Sequence, residues 1–182
     1  MPRIIERQEA VDRINSILEP GECLACWILR SERRYVLHKG AHSLVVLSEF
    51  PRTWGQTMIL LNTHKTSVSD TTEDEWREMM ENVRRTSLVL ERTLKPLRCY
   101  ISSLGATENL PNTCPHLHFN VLPIYNREER PSDIFTWKNG VFAADEPEWS
   151  GLFNDLMRGW SRMAGDDPSN EAGMAHQPDH DP

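Results

Sequence analysis

No stretch of this sequence comes near the ~20 consecutive apolar residues of a membrane span, which excludes an integral membrane helix. Its opening run, MPRIIERQEAVDRINSILEPGE, is charged throughout and lacks the apolar core of a secretory signal. A cytoplasmic location is therefore expected, with thiols kept reduced. Basic charge is also short: 20 Lys and Arg stand against 27 Asp and Glu, a formal net charge of −7. A general nucleic-acid binder needs a basic face, so neither nucleic acid nor membrane is an expected partner. A local phosphate pocket is still compatible with an acidic protein. Cysteine occurs only at Cys23, Cys26, Cys99 and Cys114. In a reducing compartment the close pair Cys23-Leu-Ala-Cys26 points to metal or redox chemistry before a structural disulfide.

What is present describes a globular chain. At 182 residues, 38% hydrophobic and 26% charged, it is long enough for one domain with a hydrophobic core. Residues 3–18 carry Ile5, Val11, Ile14, Ile17 and Leu18 at helical spacing, ended by Pro20-Gly21. CWILRSERRYVLHKGAHSLVVLSEF reads as two or three short strands, with His38 and His42 at the surface on either side of a turn. PRTWGQ is a loop whose Trp54 either stacks on a ligand base or packs on the core, and TMILLNTH is a central strand, apolar on both faces. Residues 72–94 give the clearest helix: Trp76, Met79, Met80, Val83, Leu90 and Leu94 form a stripe, and Thr72 with Glu75 has capping-box spacing. RCYISSL is a further strand, DIFTWKNGVFAA carries the Asn-Gly signature of a hairpin, and a helix from about Glu148 to Met163 buries Trp149, Leu152, Phe153, Leu156 and Trp160. Residues 1–163 are thus expected as one domain, and 164–182, with five acidic residues and no Lys or Arg, as a disordered tail. No internal repeat is visible.

The stretch TCPHLHFNVLPIY alternates in period two, which sets His116, His118 and Asn120 on one face of a strand and Leu117, Phe119 and Val121 on the other. Taken alone, His-x-His is most often a half-buried strand with two satisfied histidines. In context, HLHFNVLP resembles the signature of the histidine-triad superfamily, His-φ-His-φ-His-φ-φ with φ apolar. The resemblance spans roughly residues 20–125: SEFPRTWGQTMIL is similar to the family's strand–loop–strand with its Pro-Gly-His turn, LNTHKTSV to its Lys-Thr-His segment, and LPNTCPH to the segment before its first histidine.

The resemblance implies an α+β fold, a mainly antiparallel sheet of about five strands with the 72–94 helix across it. It implies transfer or hydrolysis at the α-phosphate of a nucleotide through a covalent nucleotidyl-histidine. The nucleophile falls on His118, beside His116, Asn120 and Thr113, with Ser48, Gln56 and Asn112 at substrate-binding positions. A neutral imidazole is nucleophilic near pH 7, so that assignment is chemically sound. Members related to galactose-1-phosphate uridylyltransferases carry a zinc, and the matching positions here are Cys23, Cys26, His64 and His116. Two thiolates and two imidazoles suit tetrahedral Zn²⁺ with no open position, hence a structural role; otherwise the two cysteines are ordinary buried thiols. Cys99 and Cys114 match no ligand position. Homodimers through the long helix are common in the family; Trp76 and Met79 either serve such an interface or, as a helix stripe more often does, belong to the core.

Three positions depart from the pattern: Asn120 replaces the third histidine, Gln56 the histidine of the turn, and Ser48 an asparagine that contacts ribose. Asn120 cannot carry a proton on and off near neutral pH. Two further readings therefore stay open: a zinc-stabilised nucleotide-binding protein without turnover, and a divergent biosynthetic enzyme using the histidine pair for other chemistry. Residues 126–163 match no family segment and are expected to cover one end of the pocket.

Overall fold

The computed structural model describes residues 2–31, 35–104 and 114–165. Five strands form one antiparallel sheet: β2 (Val36–Lys39), β3 (Ser43–Leu47), β4 (Thr57–Leu61), β5 (Arg98–Ser102) and β6 (His118–Ile124), in the order β2-β3-β4-β6-β5. The α+β class and the five-stranded sheet are as expected from the sequence. Register follows the side-chain pattern. Leu44 opposes Leu60, Val46 opposes Met58, and Leu60 and Met58 in turn oppose His118 and Asn120. Opposed residues share a face, so the polar residues of β6 lie on the same side as these aliphatics. The other side carries Val45, Leu47, Ile59 and Val121, which belong to the main core.

That core lies under α3 (Glu73–Leu94) and α5 (Glu146–Gly165). α3 starts where the spacing predicts. Thr72 Oγ1 accepts from the Glu75 N–H at 3.2 Å, and Glu75 accepts from the Thr72 N–H at 2.7 Å. Lys95 closes it in the left-handed region, φ 51°, just before Pro96. Met79, Val83, Val89 and Leu90 are buried, while Trp76 stays more than a third exposed and meets Phe119 edge-on. Trp149, Leu152, Leu156 and Trp160 of α5 are buried, with Phe153 partly so. Gly159 makes the close approach of the two helices possible: a Cβ there would sit 2.6 Å from Thr93 Oγ1.

The second face is covered by α2 (Leu24–Arg30), whose Ala25 and Ile28 pack on Leu44, Val46 and Leu60. Its residues 26–30 are expected as strand from the sequence. Its apolar residues fit either period over so short a run, and burial of Ala25 and Ile28 three apart on one helix face decides for the helix. Two further expectations are corrected at the ends of the chain. Residues 3–18 divide into a strand, β1 (Arg3–Ile5), and a helix, α1 (Arg7–Asn15). DIFTWKNGVFAA is no hairpin: Pro131 opens a short helix, α4 (Pro131–Phe135), and β7 (Val141–Ala143) pairs with β1 instead. Pro at the first turn favours the helix, and Ile5 is buried with Val141 where the two terminal strands meet.

Trp54 packs against Trp149, centroids 5.1 Å apart, which settles its place in the core. His38 is only half exposed, stacked on Trp160 at 5.5 Å, rather than a free surface residue. Among the described residues no helix is long and apolar enough to cross a membrane. The acidic stretch from 166 onward lies outside the described residues.

Candidate functional site

The histidine face of β6 is buried, not exposed: His116 and Asn120 show no accessible surface and His118 only 8%. The regular strand begins at His118, and His116 sits in the bend before it. Leu117 donates its N–H to the Lys65 carbonyl at 2.6 Å, which ties that bend to the loop after β4. Lys65 in turn pairs with Glu75 at 2.6 Å, and Thr63 donates to the same carboxylate. The cap of α3 and the entry to β6 are therefore one connected structure.

Backbone carbonyls set the protons on both imidazoles. His118 Nδ1 lies 2.7 Å from the His116 carbonyl oxygen, and His116 Nε2 lies 2.7 Å from that of Leu61. A carbonyl only accepts, so each of these nitrogens carries the proton. His118 is left with an unprotonated Nε2 and His116 with an unprotonated Nδ1. Burial pushes the His118 imidazole below its ordinary pKa, against the opposing pull of the His116 carbonyl.

His116 Nδ1 faces thiols. Cys23 Sγ is 3.7 Å away and Cys26 Sγ 3.6 Å, while His64 Nδ1 is 3.2 Å from Cys26 Sγ. All four donor atoms lie within 4.8 Å of one another. A tetrahedron with Zn–S near 2.3 Å and Zn–N near 2.0 Å has edges of about 3.3–3.8 Å, so these donors suit a zinc ion in number, type and spacing. The helix α2 makes this possible, because Cys23 at its N-cap and Cys26 one turn on project together toward His116. Cys114 stands beside the cluster, 3.9 Å from Cys23 Sγ. Its thiol, and then His116, hold Cys23 far below the usual thiol range, whereas Cys114 itself is pushed up by the same contact. Burial, reinforced by the negative charge on Cys23, raises Cys26.

At the other end of the face, two of the positions that depart from the family pattern touch each other. Gln56 Nε2 donates to Asn120 Oδ1 at 2.8 Å, and both side chains are buried. Gln56 Oε1 accepts from the Arg52 backbone N–H at 2.8 Å, and the Arg52 guanidinium reaches Asn120 Oδ1 at 3.5 Å. Arg52 lies against the ring of Trp137 at 5.7 Å, so the segment after β6 does reach this end of the site. Burial lowers the Arg52 guanidinium to about 10, still charged at neutral pH. Ser48 is buried at the start of the same loop and donates its backbone N–H to the Gln56 carbonyl. Asn112 and Thr113 lie outside the described residues. Two residues escaped the sequence reading. Arg52 gave no signal as a loop arginine, while Cys114 had only its place two residues before His116.

The HIT domain family profile matches residues 31–127. This chain belongs to the HIT family, the histidine-triad proteins. A zinc-bound histidine triad family protein from Mycobacterium smegmatis superposes with a TM-score of 0.61 at 16% identity, covering 79% of this chain and 96% of that one. A hypothetical histidine triad nucleotide-binding protein from Sulfolobus tokodaii gives 0.62 at 19%, covering 80% and 98%. A uridylyltransferase gives 0.61 at 15%, covering 85% of this chain and 49% of its own. A search of curated proteins finds no match in sequence.

Proposed function

We propose that this protein is a nucleotidyl hydrolase or transferase that works through a covalent nucleotidyl-His118 intermediate. The observation that carries the proposal is the bond from His118 Nδ1–H to the His116 carbonyl at 2.7 Å. It fixes the tautomer with a lone pair on Nε2, and burial keeps the ring neutral so that the pair is available. In the step proposed, Nε2 attacks the α-phosphorus of a nucleotide ester, anhydride or phosphoramidate. The bond from phosphorus to the leaving group breaks, and the leaving group departs with the electron pair. Water or a second substrate then attacks the same phosphorus, and the P–N bond breaks with its electron pair returning to His118 Nε2. The proton released by an attacking water or hydroxyl passes to solvent or to the departed leaving group. Asn120 can neither give nor take a proton in these steps, and Thr113 is the residue we propose for contact with the leaving group.

Zinc is the metal we assign to Cys23, Cys26, His64 and His116. When bound, it would tie α2 and the loop after β4 to the histidine bend and leave no ligand position free for chemistry. His116 thus serves twice, holding the metal with its ring and orienting His118 with its carbonyl. The family's common mode of pairing, through α3, is the oligomeric state proposed, with the exposed Trp76 at the contact. Sedimentation of Trp76→Glu against the native chain checks it.

Intact-protein mass spectrometry tests the chemistry. The protein is mixed with adenosine phosphoramidate, a diadenosine polyphosphate or UDP-sugars and quenched at neutral or higher pH, with His118→Ala in parallel. A nucleotidyl mass increment in the native protein alone is the expected result, and its persistence in water marks a transferase. Intact donors and no adduct would instead leave a nucleotide-binding protein without turnover.

A further inference from the structure

Fixed backbone donors and acceptors determine how the amides of Gln56 and Asn120 are turned. The Arg52 N–H can only donate, so the atom 2.8 Å away is Gln56 Oε1 and the other end of that amide is its NH₂. That NH₂ donates to Asn120, which makes the receiving atom Oδ1. Asn120 Nδ2 is consequently a donor, fully buried, with no partner. Arg52 Nε is likewise buried with no partner. Among the described residues no carboxylate pairs with the Arg52 guanidinium. Asp133 and Glu129 line the small cavity at this end of the site together with Arg52. Asp133 is already paired with Lys138 at 3.2 Å, and Glu129 accepts from the Asn126 N–H.

Unmet donors on two side chains joined at a single oxygen are costly unless something accepts from them. A buried guanidinium without a counter-charge is costlier still. Both costs are relieved by one kind of ligand, an oxyanion. Asn120 follows His118 on the same strand face, two residues along, or about 6–7 Å. The guanidinium is a planar fork suited to two oxygens of one phosphate, and Trp137 backs it at 5.7 Å.

We infer that Arg52 and Asn120 form an oxyanion subsite next to His118, which receives a phosphate group of the substrate or acceptor beyond the one that His118 attacks. The inference deepens the nucleotidyl-transfer reading and rests on it for the identity of the neighbouring group. Arg52 is then the residue that selects ligands bearing a second phosphate over singly phosphorylated ones. Gln56 is a positioning residue that occupies Asn120 Oδ1 and so leaves the NH₂ as the free end of the amide.

The test uses inorganic phosphate as the probe and the full chain in solution by heteronuclear NMR. The Arg52 Nε–H and Asn120 Nδ2–H₂ resonances are assigned from the spectra of Arg52→Lys and Asn120→Asp. Phosphate is expected to move both signals saturably in the native protein. Arg52→Gln is expected to weaken phosphate binding by about tenfold or more, Arg52→Lys to keep part of it, and His118→Ala to keep most of it. Signals that stay in place at high phosphate, or an Arg52→Gln protein that binds phosphate as tightly as the native one, overturn the inference. If Arg52→Gln fails to fold, the native signals still decide. Failure of the covalent mechanism shows separately, as the absence of a mass adduct, and leaves the phosphate titration standing.

Discussion

Gln56 and Asn120 occupy two positions where this chain departs from the histidine-triad pattern, and they are hydrogen-bonded to each other at 2.8 Å. The two replacements are therefore one structural change. A histidine at position 120 would present a ring nitrogen to Gln56, whereas asparagine presents a carbonyl oxygen that Gln56 Nε2 and Arg52 can share. A double-mutant cycle exposes this coupling. Gln56→Leu and Asn120→Leu singly should each cost about 1–3 kcal/mol, because each leaves a buried partner unsatisfied. The double variant should cost less than the sum, as measured by denaturant unfolding. Additive costs would show that the two side chains act independently.

Metal content is the next expectation. The native protein should carry one zinc per chain by elemental analysis, and Cys26→Ser or His64→Ala should lose it. A strong chelator should lower Tm, since a ligand bound only by the folded state contributes about 4 kcal/mol when free at a thousandfold over its Kd. The same chelator should leave the Tm of the metal-free variants unchanged. An unchanged native Tm on chelation would remove zinc from the account of stability.

The Glu75 carboxylate gives the clearest pH dependence. Lys65 first, then the Thr72 N–H and the Thr63 hydroxyl, hold it down from 4.5 to about 2. A depressed carboxyl favours the folded state while ionised, so its contribution is complete above about pH 4.5 and fades as pH falls toward 2. Melting the native protein and Glu75→Gln from pH 7 to 2.5 should show the variant less stable at neutral pH. The two curves should converge in acid. Because the Lys65 carbonyl also accepts the Leu117 N–H, the variant should loosen the entry to β6 and reduce hydrogen-exchange protection there.

Sequence and structure agree most where a signal is local. The Thr72–Glu75 capping box and the stripe from Met79 to Leu90 sit within one helix, and the alternation of His118 to Val121 within one strand, so each could be read from neighbours along the chain. Cys23, Cys26, His64 and His116 are gathered through a likeness in motif order, and the structure brings them together even though residues 26–30, expected as strand, lie in a helix. A helix serves as well because residues three apart share its face. Three features were not legible. The pairing of β1 with β7 joins opposite ends of the chain through strands three residues long, which carry no periodicity to read. The Asn139-Gly140 turn signal was real, since Gly140 has φ 76°, but it leads into β7 from α4 rather than closing a hairpin. Arg52 reads as a solvated loop residue until Gln56, Asn120 and Trp137 are seen around it.

Two glycines make opposite expectations. Gly55 has φ 94°, and a Cβ there would lie 2.5 Å from Leu94 Cδ1. Gly55→Ala therefore meets both an unfavourable backbone region and the end of α3, and should destabilise by about 1–3 kcal/mol. The strain falls on the residue before Gln56, so the Asn120 side-chain NMR signal should shift with it. Gly151 lies in α5, where an added Cβ would meet nothing within 4 Å. Alanine there replaces a poor helix former at an open site and should stabilise by about 0.5–1 kcal/mol, with no movement of the Asn120 signal. Thermal unfolding of the two variants side by side separates the local demand for a left-handed glycine in the site loop from the general cost of glycine in a helix. Equal destabilisation by both would refute the demand for a left-handed glycine at position 55.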